Sequence, residues 1–235
     1  MHVRRPLRFF FAFLLGSLAV AASVQGPYGL VPLAAMKRPP VLEIRYATPF
    51  NFTRTQLYPF PAAWLRPEAV AALEEVQADL AKQGLGLKVF DAYRPLSVQR
   101  KMWDLIHDER YVSNPAVNRG RHTRGTAVDV TLVDERGNEI AMPTGFDDFT
   151  PRAHAHYDGE GVTAEQKKDR ALLARVMTAH GFEVYPFEWW HFDLSGWKKF
   201  PPLDVGFDVL AAGREAPNSG SRSRPAATPP ADRGG

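Results

Sequence analysis

Residues 120–130 read GRHTRGTAVDV. His122 stands near the start, and Asp129 follows seven residues on, inside a run (Ala127–Val133, AVDVTLV) that alternates as a β-strand. Imidazole and carboxylate are both good zinc ligands, but two ligands do not make a site. A catalytic zinc takes three protein ligands and leaves a fourth position for water. The rest of the chain must supply a third ligand and, for catalysis, a base.

The chain has 235 residues, of which 45% are hydrophobic, enough for one domain with a substantial core. It has no cysteine, which excludes a disulfide framework, a thiolate metal site and a cysteine nucleophile. At the start, Arg4, Arg5 and Arg8 precede an apolar run from Phe9 to Ala22, and Ala19-Val20-Ala21 offers a cleavage site. This is the layout of a secretory signal peptide over residues 1–25, and the run is shorter than the roughly 20 residues that span a bilayer. The expectation is a periplasmic or secreted protein with no stable membrane insertion once the leader is removed. Those three arginines account for the whole formal charge of +3, and four more lie after Ala212. What remains is slightly acidic, so no nucleic-acid partner is expected.

Residues 26–40 are rich in proline and read as an extended lead-in to a domain over 41–210; residues 211–235, rich in Gly, Ser, Pro and Arg, read as a disordered tail. Within the domain, Val41–Tyr46 and Leu87–Ala92 read as strands. Pro67–Gln83 reads as a helix, with Val70, Leu73, Val76 and Leu80 as its apolar stripe and Gly84 beyond its end. Ser97 is placed to cap a second helix running to about His107. After the strand at Ala127–Val133, the turn Asp134–Asn138 predicts an antiparallel return over Glu139–Met142. Thr163 and Gln166 fit a capping box before a helix ending at Gly181. Two short aromatic strands, Phe182–Tyr185 and Trp189–Leu194, complete the reading. The pattern predicts one α+β domain, a small antiparallel sheet with flanking helices, and a zinc site at the sheet.

Of the seven histidines, His2 lies in the leader, and His107 and His180 fall at helix ends. His154 and His156 form a His-x-His pair in a polar loop, a weaker metal candidate. His191 lies three residues after Glu188 among aromatics (Glu188-Trp189-Trp190-His191-Phe192), which offers a ligand and a base together. On a regular strand residues 188 and 191 face opposite ways, so both reach one site only if the chain turns between them.

Taken in order, RYATPFNFT from Arg45, DAYRP from Asp91, RHTRGTAVDVTL from Arg121, MPTGFDDF from Met142 and GFEVYPFEWWHF from Gly181 resemble the zinc D-alanyl-D-alanine dipeptidases, an M15-type peptidase family found in vancomycin-resistance systems. The resemblance spans nearly the whole chain between leader and tail. It implies one Zn2+ per chain held by His122, Asp129 and His191, with Glu188 as general base and Arg94 as the cation for the developing oxyanion. It places Tyr46 in the substrate-binding segment and Asp147 where an acid meets the ammonium of a small dipeptide.

Two departures bear on function. Resistance-type enzymes carry two serines just before the first zinc histidine, where this chain has Gly120 and Arg121, beside the substrate site. Those enzymes also act in the cytoplasm, whereas the leader here predicts export, which suits recycling of wall-derived dipeptides better than resistance. The rival readings are a D,D-carboxypeptidase acting on longer peptidoglycan peptides and a zinc-stabilised wall-binding module without turnover.

Overall fold

A computed structural model describes residues 27–213. The elements in chain order are β1 (Val31–Pro32), β2 (Val41–Leu42), β3 (Trp64–Leu65), α1 (Pro67–Ala81), β4 (Leu85–Asp91), α2 (Leu96–Leu105), β5 (Ala127–Asp134), α3 (Ala164–Ala179), β6 (Phe182–Val184), β7 (His191–Leu194) and α4 (Phe207–Ala211). The main sheet has five strands in the order β2-β4-β5-β7-β6, and β1 pairs with β3 in a separate antiparallel ribbon. The expected antiparallel arrangement holds from β4 to β6; β2 adds a parallel edge beside β4.

Register divides the central strands into two unlike faces. Leu87 pairs with Leu132, Val89 with Val130 and Val128 with Phe192, which makes one face apolar. That face has to be covered, and α1 and α3 carry the stripes that do so: Leu73, Val76 and Leu80 on one, Leu173, Val176 and Met177 on the other, all buried. Gln77, buried within the α1 stripe, accepts the Leu87 N–H at 2.8 Å and donates to the Arg38 carbonyl at 3.1 Å, so its amide is satisfied. On the other face Asp129 pairs with His191 and with Asp91. A bulge at Phe90, between Val89 and Asp91, brings Asp91 opposite Asp129.

Several elements differ from the sequence reading. The first strand stops at Leu42, and residues 45–47 form a 3-10 turn that buries Tyr46. Ser97 does not cap α2 through its side chain; its N–H donates to Asp204 at 2.8 Å, so a carboxylate distant in sequence caps that helix, which ends at Leu105. Residues 139–142 form no strand and leave a single bridge between Val133 and Glu139. The last strand begins at His191, because Trp189 and Trp190 lie in a turn. The capping box is present in both directions, Thr163 and Gln166 at 2.9 and 3.1 Å. The lead-in is part of the folded body: Leu30 and Leu33 are fully buried, and the Arg66 guanidinium bonds the carbonyls of Tyr28, Gly29, Arg124 and Pro201. The proposed leader, and the tail beyond residue 213, lie outside the described residues. Among the described residues, no helix is long and apolar enough to cross a membrane.

One glycine ties fold to site. His122–Arg124 make a 3-10 turn closed by Gly125, whose φ is 69° and whose N–H meets the His122 carbonyl at 3.0 Å. A Cβ at Gly125 would lie 2.6 Å from Leu30 Cδ2. Gly125→Ala combines a left-handed backbone with overpacking and should cost on the order of 1–3 kcal/mol. Urea unfolding of the metal-free protein checks this; an unchanged midpoint would show that the turn relaxes freely.

Candidate metal centre and active site

Three side chains converge on the polar face of the sheet. Asp129 lies on β5, His191 is its cross-strand partner on β7, and His122 enters from the turn before β5. The turn required between residues 188 and 191 is present: the Glu188 carbonyl accepts the His191 N–H at 3.3 Å, and Tyr185 and His191 close the hairpin at 3.1 Å. Glu188 Oε2 thereby lies 3.7 Å from His191 Nδ1.

The distances test whether these residues suit a metal. His122 Nε2 is 3.2 Å from His191 Nδ1 and 3.3 Å from Asp129 Oδ2, and His191 Nδ1 is 3.0 Å from Asp129 Oδ1. Ligand atoms placed tetrahedrally about 2.0–2.1 Å from an ion stand about 3.3 Å apart. The far side of each ring fixes its tautomer. His122 Nδ1 donates to the Ala92 carbonyl at 2.7 Å, and His191 Nε2 donates to Asp193 Oδ1 at 3.0 Å. With the outer nitrogens committed in this way, His122 Nε2 and His191 Nδ1 are the nitrogens left to meet a metal ion, beside a carboxylate. Asp129 Oδ1 is buried and makes no hydrogen bond. All three residues are buried, and their ligand atoms lie within 4.8 Å of one another. The trio fits a divalent metal.

Its electrostatics ask for positive charge. Burial alone would push His191 down, but Asp193 and Asp129 outweigh it and hold the imidazole up to about 10. Burial likewise opposes the charge on Asp129, yet His122 and His191 keep it below the usual carboxylate range. Glu188 is raised well above its ordinary value, first by burial and then by Asp129 and Asp147, with His191 opposing. Its side chain makes no hydrogen bond among the described residues, so nothing but the site engages it.

Arg94 is buried beside the trio and held on three sides. Its Nε and Nη2 donate to Asp91 Oδ2 at 3.1 and 2.6 Å, its Nη1 donates to Gln99 at 2.8 Å, and its guanidinium lies 5.2 Å from the Tyr46 ring centre. Asp91 is fixed in turn by the Tyr58 hydroxyl at 2.7 Å and the Ala92 N–H at 2.9 Å. Tyr46 donates its hydroxyl to Asp147 Oδ1 at 3.0 Å. Asp147 has a left-handed backbone (φ 60°), and its other oxygen is buried without a partner. Burial pushes Asp147 up to about 7, against the Tyr46 hydrogen bond.

Arg94, the metal-fitting trio, Glu188, Tyr46 and Asp147 all line one pocket. Phe149, which packs against Phe52 at 5.3 Å and Tyr111 at 4.7 Å, lines it with them. All seven residues singled out in the sequence meet here. His154 and His156 do not: the former packs on Phe187, the latter is exposed, and neither joins the trio. Asp91, Gln99 and Asp193 join the site as supports of Arg94 and His191 that the sequence analysis does not name. Asp193 carried a usable signal, since residues two apart on a strand share a face with His191. Gln99 carried none, because it comes from a helix placed by tertiary packing.

A family model described as D-Ala-D-Ala dipeptidase, within the M15 peptidases, matches residues 27–203. The chain belongs to that family. Among curated relatives, the D-alanyl-D-alanine dipeptidase of Escherichia coli is 36% identical, covering 77% of this chain and 92% of its own length. The dipeptidase of the same name from Enterococcus faecalis is 30% identical, covering 71% and 91%. A solved structure of the LdcB LD-carboxypeptidase is 15% identical, with a TM-score of 0.40 over 82% of this chain and 77% of its own. Membership makes the protein an enzyme of a hydrolase family.

His122→Ala should abolish stoichiometric metal binding, since two ligands hold a divalent ion poorly. Elemental analysis after dialysis checks this against the unaltered protein; one ion per chain in the variant would move the site elsewhere.

Proposed function

We propose that the protein is an exported zinc dipeptidase that hydrolyses D-alanyl-D-alanine or a similar wall-derived dipeptide. The observation that carries this reading is the convergence, in one pocket, of a metal-fitting trio, an uncommitted Glu188 and an orphan Asp147 oxygen. Zinc held by His122 Nε2, Asp129 and His191 Nδ1 would supply a Lewis acid that makes water nucleophilic near neutral pH.

The remaining roles belong to the chain's own residues. Glu188, buried and free of other hydrogen bonds, takes the proton from the attacking water and passes it to the leaving amine. The donor inventory leaves Arg94 one N–H on each terminal nitrogen after its bonds to Asp91 and Gln99, available to the negative charge that develops on the scissile carbonyl oxygen. Because Asp91 and Gln99 already fix the guanidinium, little reorganisation is required at that moment. Asp147, oriented by Tyr46, receives the substrate's ammonium. This role favours a dipeptide over the carboxypeptidase reading: a longer peptide would set a neutral amide against the orphan oxygen. A binding module without turnover leaves the buried Glu188 without a purpose. Export rests on the composition of residues 1–25, and with it a recycling or scavenging role.

The test is to incubate zinc-loaded mature protein with the stereoisomers of Ala-Ala, N-acetylated dipeptide and a longer peptide, measuring released alanine. The D,D isomer should be cleaved fastest. N-acetylation should lower kcat/KM about tenfold or more, the scale of one charge-assisted hydrogen bond. Preference for the longer peptide would replace this reading with the carboxypeptidase. Glu188→Gln keeps size and polarity but not basicity; it should retain zinc while kcat drops about 10²-fold or more. Loss of zinc in that variant would make Glu188 a ligand, and near-normal kcat would make it structural.

A further inference from the structure

Asp193 is buried at the far side of His191 from the metal-fitting trio, accepting the ring's Nε2–H at 3.0 Å. Its other oxygen lies 3.0 Å from Nε of Arg121, an ion pair without hydrogen-bond alignment. Arg121 is itself held between two aromatic rings, 4.6 Å from the Tyr185 ring centre and 5.3 Å from that of Trp197. Tyr185 closes the hairpin that carries His191 and packs 5.2 Å from its ring. This links a guanidinium to a carboxylate, the carboxylate to an imidazole, and the imidazole to the metal-fitting position. Gly120, next to Arg121, has φ 78°, and a Cβ there would lie 3.3 Å from the Gln99 amide that supports Arg94.

We propose that Asp193, clamped by Arg121, is a positioning residue that fixes the tautomer and rotation of His191, so that the protein's hold on its metal depends on an arginine that does not touch the metal. A carboxylate behind a histidine ligand holds the ring nitrogen that must carry the proton and leaves the opposite lone pair facing the ion. A lone buried carboxylate could rotate away from the ring; the guanidinium 3.0 Å from its other oxygen opposes that. Stacking on Tyr185 and Trp197 limits where the guanidinium can go.

The inference rests on the zinc reading above, and the two fail differently. Zinc affinity is measured by chelator competition on the full chain, with melting of the metal-free proteins as a control for folding. Asp193→Ala should weaken zinc about 10- to 100-fold, the usual cost of losing such a partner. Asp193→Asn keeps an acceptor and should weaken it less; it also carries the test if the alanine variant does not fold. Arg121→Gln should weaken zinc in the otherwise unaltered protein but add nothing in the Asp193→Ala or Asp193→Asn background, because its effect passes through Asp193. Unaltered protein that binds no zinc overturns both readings. Tight binding that survives removal of Asp193, or an Arg121 effect that persists without Asp193, overturns this one alone.

Discussion

Two imidazole lone pairs and a carboxylate, buried and 3.0–3.3 Å apart, repel one another unless positive charge lies among them. The molecule is arranged so that these groups cannot separate to relieve the repulsion. Asp129 and His191 are locked as cross-strand partners, and their strands are bonded on both flanks. His122 is tied down by the Ala92 carbonyl and by the Gly125 turn. A proton on His191 can supply that charge in the metal-free chain, and a metal ion would have to displace it, so metal affinity would depend on pH as well as on the fold that holds the ligands.

The price of this arrangement is spread over the sheet. Its apolar face packs under α1 and α3 and supplies the burial that holds the strands in register. The polar face carries Asp91, Asp129, His191 and Asp193, all buried, and each has a partner placed for it: Arg94, the metal-fitting trio or Arg121. A one-residue slip of β7 against β5 would turn His191 towards the helices and dismantle the site, so the hydrophobic pattern that fixes register also fixes catalytic geometry.

Much of the site could be read in the sequence because its parts are local. His122 and Asp129 fall in one strand-and-turn unit, and Glu188 and His191 fall in one hairpin; the turn those last two demanded is where the structure has it. α1, marked by its apolar stripe and first-turn proline, and α3, marked by its capping box, are where the sequence puts them, each ending two residues earlier. What escaped depends on distant contacts. Asp204 caps α2 across more than a hundred residues, and the first strand ends early because Tyr46 turns inward to meet Asp147. The support of Arg94 by Asp91 and Gln99, and of His191 by Asp193, exists only once the bulge at Phe90 and the packing of α2 are in place. The lead-in looked extended because its prolines signal irregular backbone, while its two buried leucines are too few to show a period.

The central claim is that the buried trio holds a metal, and it is tested most directly by anomalous diffraction at the zinc edge from crystals of the zinc-loaded protein. The account predicts a single peak about 2.0–2.1 Å from both His122 Nε2 and His191 Nδ1, bonded also to the Asp129 carboxylate. A peak at His154 and His156 instead, or none between the three residues, would contradict it.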